Sequence, residues 1–121
     1  MDIKERAFAG VRRYVEQILG FEIIDERPQD DLFSFVAYDG EENSLVFIGF
    51  EYVDWREDMS KTDFNPIARY QFEIAVGKFL SSEEADKWQD TPIRYDIVQI
   101  RVLGEHRALI AHCVNSKFKE D

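Results

Sequence analysis

The stretch DLFSFVAYDG (31–40), EENS (41–44) and LVFIGFEYVD (45–54) decides the fold. Its two apolar runs, at 32–38 and 45–50, are nearly continuous, which is typical of central strands covered on both faces. The residues between them, at 39–44, have the composition of a hairpin turn, and we interpret their carboxylates as solvated. The stretch therefore predicts two neighbouring strands at the centre of a sheet.

The segments before this pair predict one helix and one short strand. Apolar residues at spacings of three and four place a helix over 3–19, which Gly20 ends, and a strand follows at 21–25. With the central pair, this gives a helix followed by three strands.

The segments after the pair predict a second helix and two more strands. A polar loop at 55–62 leads to a helix that starts near Pro66. Its wide apolar surface, which includes Tyr70, Phe72, Ile74 and Phe79, is expected to pack on the sheet. A short helix at 81–88, where Trp88 plugs the core, precedes strands at 93–102 and 107–114. We expect a single α/β domain over 1–121, with a mixed sheet of about five strands flanked by helices.

Composition narrows the classes of function. The 121 residues carry a formal net charge of −10, and the Lys and Arg residues are scattered, which disfavours binding to nucleic acid. One cysteine excludes an internal disulfide and fits a reducing compartment. No apolar run is long enough to span a membrane, and the first residues lack an apolar signal core. We expect a cytoplasmic protein without membrane contact.

Several short strings, in this order and spacing, carry a family resemblance. They are Tyr14-Val15 with Gly20-Phe21, FVAYDG (35–40) with LVFI (45–48), RYDIV (94–98), and RALI (107–110) continuing through His112 to Val114-Asn115 and Phe118. On these strings the chain resembles the YraN-like family of predicted endonucleases, which is related to Holliday-junction resolvases. The resemblance implies a three-layer restriction-endonuclease-like fold over almost the whole chain.

The resemblance also implies a metal site, and this chain departs from it. The family motif supplies an Asp and, one hairpin later, a Glu and a Lys, which bind Mg²⁺ and position water. The matching positions here are Ser34, Gly49 and Glu51, while two further acidic positions fall on Leu32 and Phe8. Because one carboxylate without a cation is a poor Mg²⁺ site, we expect no cofactor. We expect a non-enzymatic interaction or scaffold module with an unknown protein partner.

Two alternatives remain open. In the first, a Mg²⁺-dependent, resolvase-like endonuclease uses a rearranged site of Glu51 with Asp31, Asp54 or Asp39. A regular strand would place Asp31 on the face opposite Ser34, and Asp54 is expected beyond the strand end. In the second, the protein binds nucleic acid without cleaving it, which the net charge of −10 disfavours.

The remaining reactive residues predict no further chemistry. His112 and Cys113 are neighbours on a strand, so their side chains point to opposite faces and cannot share one site. His106 lies in a predicted turn, and no zinc or thiol motif is present. Self-association through a sheet edge, or through Trp55 and Trp88, is one form that a partner could take.

Overall fold

The computed structural model describes residues 3–27, 32–54, 69–103 and 107–115. Its elements follow the predicted order of one helix, three strands, two helices and two strands. They are α1 (Ile3–Arg13), a π-helical turn (Tyr14–Ile18), β1 (Glu22–Glu26), β2 (Phe35–Asp39), β3 (Ser44–Asp54), α2 (Arg69–Leu80), a 3-10 helix (Glu83–Trp88), β4 (Ile93–Val102) and β5 (Ala108–Cys113).

The five strands form one mixed sheet in the order β1-β2-β3-β4-β5. β3 and β4 are parallel, and the other neighbouring pairs are antiparallel. The two parallel strands pair over ten residues, from Leu45 opposite Ile93 to Asp54 opposite Val102. The prediction of a mixed sheet of about five strands is confirmed.

Each face of the sheet has its own apolar core. Side chains that alternate along β2, β3 and β4 point to opposite faces, so one face packs on α1 and the other on α2. The α1 core contains Ala7, Val11, Val15, Phe35, Ala37, Val46, Ile48, Val98 and Ile100. The α2 core contains Phe33, Val36, Leu45, Phe47, Phe72, Ala75, Val76, Phe79, Ala85, Trp88, Tyr95 and Ile97. The central strands are therefore covered on both faces, as their apolar runs predict.

Gly20 ends the first helical segment, as predicted. After Arg13 the helix widens into the π-helical turn, in which the Leu19 N–H donates to the Tyr14 carbonyl. Gly20 then adopts φ +73°, a left-handed conformation that is strained for residues with a Cβ. Among the helices described, none has the length and the apolar composition needed to cross a bilayer.

Two sequence expectations about element extent are wrong. Asp54 does not lie beyond the strand end, because β4 pairs with β3 as far as Asp54. The apolar surface of α2 is narrower than predicted: Tyr70 and Ile74 are 58% and 56% exposed, while Phe72 and Phe79 are buried. A twelve-residue helix on a sheet buries one stripe, and these two residues lie outside it. The predicted loop at 55–62, with Trp55, and the predicted helix start at Pro66 fall outside the described residues.

The expected position of Trp88 is confirmed. Trp88 is 8% exposed, and its ring lies against Tyr38 with the two ring centroids 4.9 Å apart. The Trp88 ring therefore closes the α2 core at the end nearest the β2–β3 turn.

Candidate functional site

The positions singled out by the resemblance lie where the start of β2 pairs with the middle of β3, at the end of β2 away from the β2–β3 turn. Ser34 is buried directly before β2, where its N–H donates to the Ile48 carbonyl over 2.8 Å. Gly49 and Glu51 alternate along β3 on the face of the sheet that packs on α2. The Gln99 amide on β4 donates to the Glu51 carboxylate over 3.3 Å. The structure thus brings Ser34 beside the residue preceding Gly49 and shows Glu51 hydrogen-bonded to Gln99.

Tyr95 fills the space beside Gly49. A Cβ at position 49 would stand 2.9 Å from the Tyr95 hydroxyl oxygen, closer than Cβ atoms normally approach another heavy atom. The Tyr95 ring is buried and packs against Phe72 with ring centroids 5.1 Å apart, so it has little freedom to retreat. Gly49 is therefore the residue that this packing admits, and a larger residue at position 49 would require Tyr95 to move.

These residues do not fit the Mg²⁺ site that the resemblance implies. A divalent cation of this type needs several hard oxygen ligands, and of Ser34, Gly49 and Glu51 only Glu51 has a carboxylate. The position at which the second carboxylate would stand is blocked by the Tyr95 hydroxyl. In the described part of the chain, no three Asp, Glu, His or Cys side chains are arranged to hold a metal ion.

The carboxylates of the rearranged-site alternative are placed differently from that expectation. Asp31 lies outside the described residues, and the structure describes Asp54 only as the last residue of β3. Asp39 pairs with Ser44, seven residues before Glu51, which is roughly 23 Å along a strand. Asp39 and Glu51 cannot share one metal ion. The expectation that the turn carboxylates are solvated is also wrong for Asp39, which is buried.

Asp39 belongs instead to a polar network on the face that packs on α1. We call this network, consisting of Tyr14, Asp39, Arg94, Asp96 and His112, the Asp96 cluster. Asp96 is fully buried, and its carboxylate accepts two hydrogen bonds from the Arg94 guanidinium, at 2.9 and 3.0 Å. It accepts a third from His112 Nε2 at 2.8 Å and a fourth from the backbone N–H of Asn115 at 2.9 Å.

Two further contacts extend the Asp96 cluster across the sheet. Arg94 Nη1 donates to Asp39 over 3.2 Å, and the second oxygen of Asp39 accepts the N–H groups of Glu41 and Glu42. Asp39 therefore orders the β2–β3 turn in addition to binding Arg94. At the other end, the Tyr14 hydroxyl lies 3.3 Å from His112 Nδ1. One buried carboxylate thus connects the π-helical turn, β2, β4 and β5.

The contacts of Asp96 keep it ionised. Burial raises the pKa of Asp96, but the hydrogen bonds from His112 and Arg94 outweigh burial and hold that pKa below its ordinary value. Burial lowers the pKa of Arg94, and the bonds to Asp96 and Asp39 reverse this and raise it. A carboxylate with four donors and no open lone pair is a structural anchor, and its charge is satisfied within the fold.

The ionised Asp96 determines the tautomer that we assign to His112. Because the carboxylate only accepts hydrogen bonds, His112 donates to it from Nε2. In the tautomer that carries its single proton on Nε2, Nδ1 is an acceptor and the Tyr14 hydroxyl donates to it. Burial and the nearby Asp96 charge raise the pKa of Tyr14, so this phenol remains a proton donor.

Sequence reasoning missed the Asp96 cluster, although part of its signal is present. Arg94 and Asp96 stand two residues apart in a predicted strand, which places them on one face with opposite charges. The place of His112 depends on the pairing of Val98 with His112 between β4 and β5. That register is a property of the tertiary structure and does not follow from the sequence pattern of either strand. The prediction that His112 and Cys113 face opposite ways is confirmed, because Cys113 packs against the α2 core.

The fold is that of a three-layer α+β protein, with one helix packed on each face of a mixed five-stranded sheet. On the face that packs on α2, Tyr95 occupies the space beside Gly49. The chain matches no protein-family model, and neither a curated protein nor a solved structure is significantly similar to it.

The burial of Tyr95 predicts a loss of stability in alkali. Burial, reinforced by the charge of Glu51, raises the pKa of Tyr95 from 10.0 to about 12. Because the folded protein holds the phenol proton more tightly than the unfolded chain, this stabilisation is complete below pH 10 and is lost as the pH rises toward 12. The loss amounts to about 3 kcal/mol of unfolding free energy. Urea titrations at a series of alkaline pH values would measure it. The free energy of unfolding of Tyr95→Phe should lack this decrease between pH 10 and about 12. If it fell with pH as steeply as that of the wild type, Tyr95 would not be the group responsible.

Proposed function

We propose that the protein is a non-catalytic interaction module built on a restriction-endonuclease-like scaffold. The scaffold part is supported by the three layers and by the mixed five-stranded sheet. It is also supported by the position of Ser34, Gly49 and Glu51, which lie on neighbouring segments at the start of β2 and in β3. The net charge of −10 further favours a protein partner over nucleic acid.

One observation carries the non-catalytic part of the proposal. The Tyr95 hydroxyl lies 2.9 Å from where a Cβ would stand at residue 49, the position of the second metal-binding carboxylate in the family motif. A nuclease that had merely exchanged ligands would keep that space open for another donor or for water. Here an aromatic side chain of β4 fills it and packs on Phe72. The space in which the family would bind its metal ion is thus part of the apolar core in this protein, which supports a role for this sheet face in folding and not in catalysis.

The proposal predicts that purified protein does not cleave DNA. Incubation with Mg²⁺ or Mn²⁺ and with branched, single-stranded or duplex DNA should leave every substrate intact. A mobility-shift assay at low salt should show no complex, because the acidic surface repels the phosphate backbone. Each substrate should be tested with an authentic endonuclease as a positive control for the assay.

Glu51→Ala and Glu73→Ala form the matched pair for this test. Glu51 is the one carboxylate among the three motif positions, and Glu73 is an exposed glutamate on α2 that is not one of them. Reproducible metal-dependent cleavage that disappears in Glu51→Ala and persists in Glu73→Ala would overturn the proposal. Such a result would instead establish the rearranged carboxylate site.

A further inference from the structure

β5 forms one edge of the sheet and presents apolar side chains on both of its faces. Among the described residues, β5 pairs with β4 alone. Leu109 and Ile110 point to opposite faces and are 52% and 38% exposed, and Val114 just beyond the strand is also exposed. An edge strand offers a row of backbone N–H and C=O groups to any further strand. β5 therefore combines open backbone groups with apolar surface above and below them.

The opposite edge of the sheet has the protection that β5 lacks. β1 carries acidic residues at Glu22, Asp25 and Glu26, and its pairing with β2 is irregular between Ile23 and Asp25. Charges and bulges of this kind discourage pairing between sheet edges. β5, with the sequence ALIAHC, contains no carboxylate. Its one titratable imidazole, His112, is bound to Asp96 within the Asp96 cluster.

Charge indicates which surface two copies of this chain could bring together. Each copy carries a net charge of −10, so two copies repel each other unless they meet where carboxylates are absent. Residues 107–115, which include the whole of β5, are such a surface and carry Arg107 as their one fixed charge. A pair of β1 edges would instead bring six carboxylates together. Asp25 and Glu26 each pair with an arginine of the same copy, whereas Glu22 has no such partner among the described residues. β5, which contains no carboxylate, is thus the edge that electrostatics favours for self-association.

The Asp96 cluster prepares β5 for pairing. The Asp96 carboxylate binds the His112 side chain near the end of the strand and the backbone N–H of Asn115 beyond it. Because Asp96 is fully buried and itself bound by Arg94, the end of β5 is anchored to the sheet. A strand already held in its bound conformation loses less entropy when a second strand adds to it.

We propose that β5 is a homodimer interface, at which the β5 strands of two copies pair antiparallel about a two-fold axis. Antiparallel pairing makes the contact isologous and closed, which yields a dimer and not a filament. It joins two five-stranded sheets into one continuous sheet and extends both apolar layers across the axis through Leu109 and Ile110. This inference rests on the interaction role proposed above and names the partner as a second copy.

Analytical ultracentrifugation of the full chain over a wide concentration range tests the interface. The wild-type protein should reach twice the monomer mass. Leu109→Lys should raise the dimer dissociation constant on the order of tenfold or more, since it places like charges near each other across the axis. Ile74→Lys is the matched control, because Ile74 is as exposed as Leu109 but lies on α2. Ile74→Lys should dimerise like the wild type.

The possible outcomes separate this inference from the proposed function. A wild-type protein that remains monomeric at high concentration, or a dimer that Ile74→Lys weakens as much as Leu109→Lys, overturns the β5 interface. Urea midpoints for both variants establish that they fold. A β5 dimer that also cleaves DNA overturns the non-catalytic proposal and leaves the interface standing. A monomer that cleaves nothing overturns only the interface.

Discussion

Replacing Asp96 with alanine should lower the free energy of unfolding by roughly 3–5 kcal/mol, the usual cost of removing one partner from a buried ion pair. The substitution would leave the Arg94 guanidinium, His112 Nε2 and the Asn115 N–H without their acceptor. Arg94 would retain only the longer bond to Asp39, at 3.2 Å. Urea unfolding followed by circular dichroism at neutral pH would measure the effect.

Asp25→Ala is the control for this experiment. Asp25 also pairs with an arginine, Arg27, at 2.8 Å, but both side chains are close to one-third exposed. Exposed pairs of this kind contribute about 0–1 kcal/mol, because water already solvates both charges. If Asp96→Ala costs no more than Asp25→Ala, the Asp96 cluster does not anchor the fold.

Replacing Gly49 with alanine should destabilise the protein by about 1–3 kcal/mol, the usual cost of overpacking a core. The added methyl group would stand 2.9 Å from the Tyr95 hydroxyl oxygen and 3.4 Å from the Leu32 carbonyl oxygen. The backbone of Gly49 is not left-handed, so the cost is steric and should depend on Tyr95. Unfolding titrations of Gly49→Ala, Tyr95→Phe and the double variant would complete the cycle.

In the double variant, most of the cost of the alanine should disappear. Phenylalanine lacks the hydroxyl oxygen, and the next contacts, at 3.4 Å, can be accommodated by small shifts. Gly77→Ala is the matched control on α2, because a Cβ there would meet nothing within 4 Å. It should stabilise the helix by up to about 1 kcal/mol. Additive effects of Gly49→Ala and Tyr95→Phe would show that Tyr95 does not fill the space beside Gly49.

The result at Gly49 also bears on the proposed absence of a metal site. If position 49 rejects even a methyl group while Tyr95 is present, introducing the motif that the resemblance implies by single substitutions cannot create a metal site. A carboxylate at residue 49 would first need Tyr95 to leave. The close packing at position 49 is then a property of two strands, β3 and β4, and not of residue 49 alone.

Most of the fold could be predicted because its signals are local. The continuous apolar runs of 32–38 and 45–50 identify central strands, and the period of residues 3–19 identifies a helix. Element ends were less accurate: β3 runs on to Asp54 because a parallel partner pairs with it there. On α2, Tyr70 and Ile74 are apolar yet exposed. Their exposure could not be predicted, because the sequence pattern alone does not reveal which side of the helix meets the sheet.

The features of the candidate site also separate into those that follow from local sequence and those that depend on tertiary contacts. That Gly49 and Glu51 share a face follows from the two-residue period of a strand, and so does the separation of His112 from Cys113. The contact of Tyr95 with Gly49 does not follow, because it crosses from β4 to β3 and depends on the parallel register between them. The burial of Asp39 was missed for the same reason: its partner, Arg94, is 55 residues away.

By itself the sequence determined the order of helices and strands and the central apolar runs at 32–38 and 45–50. It also determined the acidic charge, and the presence of Ser, Gly and Glu where the resemblance implies Asp, Glu and Lys. These depend on residue type and on periods of two and 3.6, which are local. Only the tertiary structure decided that Tyr95 fills the space beside Gly49, and that Asp96 joins four elements through one buried carboxylate. Both depend on strand register, which is set when distant residues pack together.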